Sequence, residues 1–122
     1  MILADTSVWV DYLRGNDAEM CDRLQKGQVA MHPFIAAEIS LRSLRNRKER
    51  LEEMESLLEI TVAQLSEVRH MIESHALYSR GIGLTDAHLL ASCLITPGTQ
   101  LWTRDAALRK VAESLGVMAN LT

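Results

Sequence analysis

Ile2-Leu3-Ala4-Asp5-Thr6-Ser7-Val8-Trp9 opens the chain with a short apolar run that ends in an acid and turns at once into a mixed segment. Such a run reads as a buried strand that hands over directly to a helix, Thr6 to Leu13. Gln100-Leu101-Trp102-Thr103-Arg104-Asp105 repeats the arrangement near the other end. There the acid leads into a helix, Arg104 to Leu115, in which Leu108, Val111, Ala112 and Leu115 recur at i, i+3, i+4 and i+7. In open sheets of parallel strands, ligands collect outside the carboxyl ends of the strands. Asp5 and Asp105 are therefore expected to share one crevice.

Between these two passages, runs of strand length alternate with helical patterns. Further strands are read at Gln28 to Met31, Leu58 to Val62 and Val117 to Leu121, and helices at Ala18 to Gln25, Phe34 to Leu44, Lys48 to Leu57, Ser66 to Tyr78 and Thr85 to Ile95. The alternation is that of βαβ units, so an α/β fold with a parallel sheet covered on both faces is expected. Leu57 to Val62 also reads as the end of a helix and the loop after it. Gly15-Asn16, Gly27, Gly81-Ile82-Gly83, Pro97-Gly98 and Gly116 punctuate the elements, and no repeat or linker interrupts them.

The chain has 122 residues, 48% of them apolar, which predicts one domain, residues 1–122, with a substantial core although aromatics are few. Its apolar runs are far shorter than the ~18 to 20 residues needed to span a bilayer, and no basic segment precedes the first of them. A soluble protein without signal peptide or membrane association, located in the cytoplasm, is the expectation. Cys21 and Cys93 have no metal-ligand spacing and read as two reduced thiols. The formal charge of 13 minus 16, or −3, argues against coating nucleic acid through overall charge and leaves room for a local basic surface.

Two more acids stand out. Glu38, in Phe34-Ile35-Ala36-Ala37-Glu38-Ile39, shares a helical face with Ile35 and Ile39, which places it on the inner or boundary side. Asp86 follows Thr85, an N-cap candidate, and falls in the first turn of a helix with Leu84, Ala87, Leu90, Ala91 and Leu94 as its buried stripe. Taken singly, an acid at a helix start is commonly a cap that complements exposed amides and the macrodipole. Four carboxylates drawn together are another matter, because they repel one another unless a hard divalent cation, which takes oxygen ligands, neutralises them. Asp5, Glu38, Asp86 and Asp105 thus form a candidate divalent-metal site.

Four segments, Ile2 to Trp9, Pro33 to Ile39, Gly83-Leu84-Thr85-Asp86-Ala87 and Leu101 to Leu108, resemble in order and spacing the four motifs of PIN-domain ribonucleases, and most of all the small VapC-type toxins of toxin-antitoxin pairs. The resemblance covers essentially the whole chain. It implies a three-layer α/β/α sandwich with a central parallel sheet of four to five strands. It also implies endonucleolytic cleavage of RNA dependent on Mg²⁺ or Mn²⁺, one or two ions per site, together with a homodimer and inhibition by a cognate VapB-type antitoxin. Asp5, Glu38, Asp86 and Asp105 match the acidic quartet. Asp5 and Asp86 would be the most direct ligands, Asp105 would help hold the metal, and Glu38 would bind through water or orient the attacking water. Thr6, Ser7 and Thr103 fall where such proteins carry supporting hydroxyls. His32, where relatives often carry a small hydroxyl residue, and Arg104, beside Asp105, bear on the choice of RNA.

Basic residues should frame so acidic a centre if its substrate is a polyanion. Arg14, Arg80 and Arg104 lie close to motif segments and are candidate phosphate contacts, and Arg42, Arg45, Arg47, Lys48 and Arg50 form a run that reads either as a phosphate grip or as a solvated helix end paired with Glu49, Glu52, Glu53 and Glu55. His70, His75 and His88 lack zinc-site spacing, and His32 reads as a hydrogen-bonded structural histidine near the pocket. Trp9, Tyr12, Leu13 and Trp102 read as core or dimer surface. Two other function classes fit the same chain. A phosphotransferase or phosphatase would use Asp5 as nucleophile, but Asp5-Thr6-Ser7 offers no second acid two residues on. A non-catalytic interaction module of the same fold would use the acids only as caps.

Overall fold

Strand β1, Ile2–Ala4, is the middle of a parallel sheet, with β2, Val29–Ala30, on one side and β3, Gln100–Trp102, on the other. This is a computed structural model that describes residues 1–122. Helices α1, Thr6–Leu13, and α2, Ala18–Gln25, connect β1 to β2. Four more, α3 Pro33–Ser40, α4 Arg47–Glu55, α5 Leu65–Ser74 and α6 Leu84–Ile95, lead to β3, and α7, Ala106–Ser114, follows it. Successive strand residues point to opposite faces, and both members of each pair Leu3 and Ala4, Val29 and Ala30, Leu101 and Trp102 are buried. The sheet is therefore covered on both sides, as the strand-helix alternation predicts.

The sheet is narrower than expected, with three strands in place of four or five. The segments read as the missing strands reach its two edges through one parallel bridge each, Met31 to Glu59 and Leu101 to Met118. Met31 N–H donates to Leu58 O at 2.8 Å and Ile60 N–H to Met31 O at 2.9 Å; across the sheet, Leu101 N–H donates to Val117 O at 2.7 Å and Ala119 N–H to Leu101 O at 2.8 Å. Leu58, Glu59 and Val62 are exposed, so Ile60 is the apolar side chain that anchors the first of these segments. One anchor supports one bridge, and an edge kept this short offers little to pair with another chain.

Twenty-eight buried apolar residues form one continuous cluster around the sheet. Trp9 and Trp102 belong to it with no exposed surface, which assigns both to the core of the chain. Helix α6 is apolar nearly all round and is buried from Ala87 to Cys93, as a helix packed on several sides must be. Helix α3 stops at Ser40 instead of running to Leu44. The Ser40 hydroxyl turns back onto Ala37 O, and the Arg47 guanidinium donates to Ser40 O and Arg42 O at 2.5 and 3.0 Å. These bonds satisfy carbonyls left open at the helix end. No helix is long and apolar enough to cross a membrane.

Candidate metal centre at the carboxyl ends of the strands

The register that pairs Ala4 with Trp102 brings the next residues, Asp5 and Thr103, side by side. Asp5 caps α1: its Oδ1 accepts from Ser7 N–H at 3.0 Å and from the Ser7 hydroxyl at 2.5 Å. Its Oδ2 accepts from Thr103 Oγ1 at 2.5 Å. Thr103 Oγ1 in turn accepts from Asp105 N–H at 3.1 Å, and Asp105 caps α7 by accepting from Leu108 N–H at 2.9 Å. Thr6 Oγ1 donates to Glu38 Oε1 at 2.9 Å, tying α3 to the start of α1. Ser7 Oγ accepts from Arg104 N–H at 3.0 Å. The three hydroxyls singled out in the sequence thus link three of the four acids through two strand-to-helix turns.

Asp86 joins the group through its field. Helix α6 begins at Leu84, with Gly83 and not Thr85 as the N-cap, so Asp86 is its third residue and its Oδ2 accepts from Gly83 N–H at 3.2 Å. Burial raises its pKa, and the charges of Asp5, Asp105 and Glu38 raise it further against the opposing Gly83 amide. Burial also raises Asp5, although two hydroxyls and two amides favour its charged form. Glu38 is exposed and not on an inward face; Ile35 and Ile39 carry the buried side of α3. Asp105 is exposed as well, so the group lies at a rim with Asp5 as its one buried member.

Asp5, Asp86 and Asp105 each accept from a backbone N–H at a helix start, as caps do, and Asp86 also feels the charges of the other three acids. No three acidic, histidine or cysteine side chains are close enough to enclose an ion as they stand. The donor set nevertheless fits a hard cation. It consists of carboxylate oxygens without sulfur or imidazole, and Asp86, Asp105 and Glu38 each engage one oxygen within the protein and keep the other. Mg²⁺ retains several waters and needs only one or two carboxylates directly, so an open arrangement suits it.

Other predicted residues fall elsewhere. Arg104, read as a phosphate contact, ion-pairs with Asp11 at 2.6 Å and Asp17 at 2.5 Å, lies over the Trp102 ring at 5.3 Å and donates to Thr122 O. Asp17 also caps α2, and its side chain is 4% exposed. A capping role for Asp17 was legible from the helix that follows it; its pairing with Arg104 had no local signal. Arg80 and Arg14 are exposed and make no ion pair. His32 is fully buried, its Nδ1 accepts from Phe34 N–H at 3.0 Å to cap α3, and burial together with nearby His88 lowers its pKa to about 4. It is a neutral structural histidine inside the fold. Cys21 and Cys93 are free thiols.

The signature of the PIN domain matches residues 2–114 of the chain. The chain belongs to the PIN-domain family. Among curated relatives of this PIN domain, ribonuclease VapC32 of Mycobacterium tuberculosis, from strains CDC 1551 / Oshkosh and ATCC 25618 / H37Rv, is 36% identical over 117 residues, covering 96% of this chain and 94% of the relative.

The raised carboxyls of the PIN domain give a pH dependence with a definite sign. A folded-state pKa above the ordinary value of 3.8 means that the folded form holds more protons than the unfolded one just above that pH. The contribution of Asp5 and Asp86 to stability is therefore fully present below 3.8, falls as pH rises through their raised values, and stays lost at neutral pH. In chelator at neutral pH, Asp5→Asn is expected to raise the melting temperature, and near pH 3 the gain should vanish. Thermal melts across pH check it; a lower melting temperature at neutral pH would contradict the assignment of desolvation as the dominant cause.

Proposed function

We propose that this PIN domain is a divalent-metal-dependent endoribonuclease and the toxin of a toxin-antitoxin pair. The observation that carries the reading is the geometry at the carboxyl ends of β1 and β3, where Thr103 Oγ1 donates to Asp5 at 2.5 Å and accepts from Asp105 N–H at 3.1 Å while Thr6 holds Glu38 beside the same turn; Asp86, raised first by burial, also feels these three charges. A set of caps serves separate helices and has no need to converge; a cation site does. The identity with ribonuclease VapC32 supports RNA as the substrate class.

When bound, Mg²⁺ or Mn²⁺ supplies a Lewis acid that acidifies an attacking water and offsets charge on the scissile phosphate. Asp5, Asp86 and Asp105 would hold one or two such ions. Ser7 and Thr103 aim the Asp5 carboxylate from both sides and fix which oxygen faces which neighbour. Glu38, held by Thr6 at the exposed rim, would bind the metal through water or orient the attacking water. Arg14 and Arg80 remain free to meet phosphates. A cognate VapB-type antitoxin would inhibit by bringing an Arg or Lys to the acidic rim, and the chain would act as a homodimer in the cytoplasm.

The test is cleavage of total RNA by the purified chain with Mg²⁺ or Mn²⁺ and with excess chelator. Discrete fragments that appear with metal and disappear with chelator are expected. Equal fragmentation in chelator would refute metal dependence. Phosphate release from a small phosphoester, with intact RNA, would transfer the assignment to a phosphatase with Asp5 as nucleophile.

A further inference from the structure

An open cleft of about 1050 Å³ lies between the far end of α1 and the turn that joins α3 to α4. Val10, Leu13, Leu41 and Leu44 give it apolar surface, and Arg14, Arg42, Arg45 and Arg50 line it with no carboxylate among them. In a chain of net charge −3, four guanidinium groups in one cleft without an acid depart from the average surface. Arg50 is partly engaged, at 3.3 Å from Glu53 and 5.8 Å from the Tyr12 ring centroid. Arg14, Arg42 and Arg45 are exposed and make no ion pair. Arg47 takes the opposite part in the same basic run: its bonds to Ser40 O and Arg42 O hold the turn that carries Arg42 and Arg45. The arginines of the run are thus divided into a structural one, Arg47, a partly engaged one, Arg50, and two without an ion-pair partner, Arg42 and Arg45.

We propose that this cleft is a phosphate-binding subsite for the backbone of single-stranded RNA, separate from the acidic centre; the inference rests on the ribonuclease reading. Free guanidinium groups bind phosphate oxygens in bidentate fashion, and the flanking leucines give bases an apolar surface. Asp5 stands at the start of α1 and the cleft at its end, so the two are about 12 Å apart along an eight-residue helix. At ~3.4 Å per stacked nucleotide that is roughly three to four nucleotides. The spacing resolves a conflict within the molecule, because carboxylates that gather a cation repel an RNA strand in its absence. Cations one helix length away retain the strand without neutralising the carboxylates.

The test measures binding of a labelled heteropolymeric RNA longer than ~16 nucleotides to the Asp5→Asn chain in chelator, at several salt concentrations. A second chain adds Arg14→Ala, Arg42→Ala and Arg45→Ala, and a control adds Lys26→Ala, Arg69→Ala and Lys110→Ala, which removes equal charge elsewhere; melting curves verify that all three fold. The cleft variant should bind about tenfold or more weakly and lose about 2 from the slope of log affinity against log salt, near 0.7 per phosphate contact. The control should change far less. In the chain with Asp5 restored, the cleft substitutions should raise KM more than they lower kcat. Equal losses in cleft variant and control would overturn the inference in favour of diffuse attraction. Undiminished RNA binding by the cleft variant, together with escape from a co-purifying protein inhibitor, would overturn it in favour of a protein-docking surface. If the unsubstituted chain cleaves RNA and the cleft variant binds as well as its parent, this inference alone fails. If the chain neither cleaves nor binds any RNA with metal present, the ribonuclease reading fails and takes the subsite with it.

Discussion

Asp5→Asn should lower metal-dependent RNA cleavage about a thousandfold or more while leaving the fold intact. The magnitude follows from the several kcal/mol that charge neutralisation at a phosphate supplies, each ~1.4 kcal/mol being a factor of ten in rate. Asparagine keeps the shape of the site. Its carbonyl can still accept from Ser7 N–H and the Ser7 hydroxyl, as Asp5 Oδ1 does, and its amide faces Thr103 Oγ1 where Oδ2 now lies. What it loses is the charge and the second acceptor oxygen. The contrast is diagnostic, because in chelator the same substitution relieves a buried carboxylate and should raise the melting temperature. Initial cleavage rates and melts on one preparation measure both, and cleavage equal to that of the unsubstituted chain would remove Asp5 from the site.

Trp102→Ala should destabilise the domain by about 3 to 5 kcal/mol, a large share of the ~5 to 15 kcal/mol that holds a domain of this size together. Trp102 is the last residue of β3 and is fully buried. Its ring lies beneath the Arg104 guanidinium, so truncation opens a cavity directly under the turn that carries Thr103 and Asp105. Trp102→Phe should cost much less, since the indole N–H has no hydrogen-bond partner in the fold and its loss leaves no orphaned acceptor. Urea denaturation of the two variants separates these expectations. A cost under ~1 kcal/mol for alanine would contradict the packing of this ring.

Legibility in the sequence followed the range of the interaction. Helices α1 and α2 have the bounds read from sequence, Thr6 to Leu13 and Ala18 to Gln25, because each is started by an aspartate cap whose bonds reach only two or three residues ahead. The end of α3 was misread because Leu41 and Leu44 continue an apolar spacing past Ser40. The true stop depends on Arg47 folding back from the next helix. The two outer segments of the sheet read as strands from their apolar residues, yet each meets its neighbour at a single bridge. Helical spacing placed Glu38 on the inner or boundary side, and the packing of Ile35 and Ile39 decides between the two by leaving it exposed at the rim.

Sequence alone determined the strand-acid-helix passages at Asp5 and Asp105 and the parallel α/β architecture, since these rest on periodicity and caps within a few residues, and four motifs in order carried the resemblance to the family. Only the tertiary structure decided that Thr103 bonds Asp5, that Thr6 holds Glu38, that Asp11 and Asp17 bind Arg104, and that Asp86 feels three other carboxylates. Hydrogen bonds act over about 3 Å and charges over about 10 Å in space, and which residues come that close is set by the pairing of Ala4 with Trp102 and the packing of helices on that sheet, not by their order in the chain.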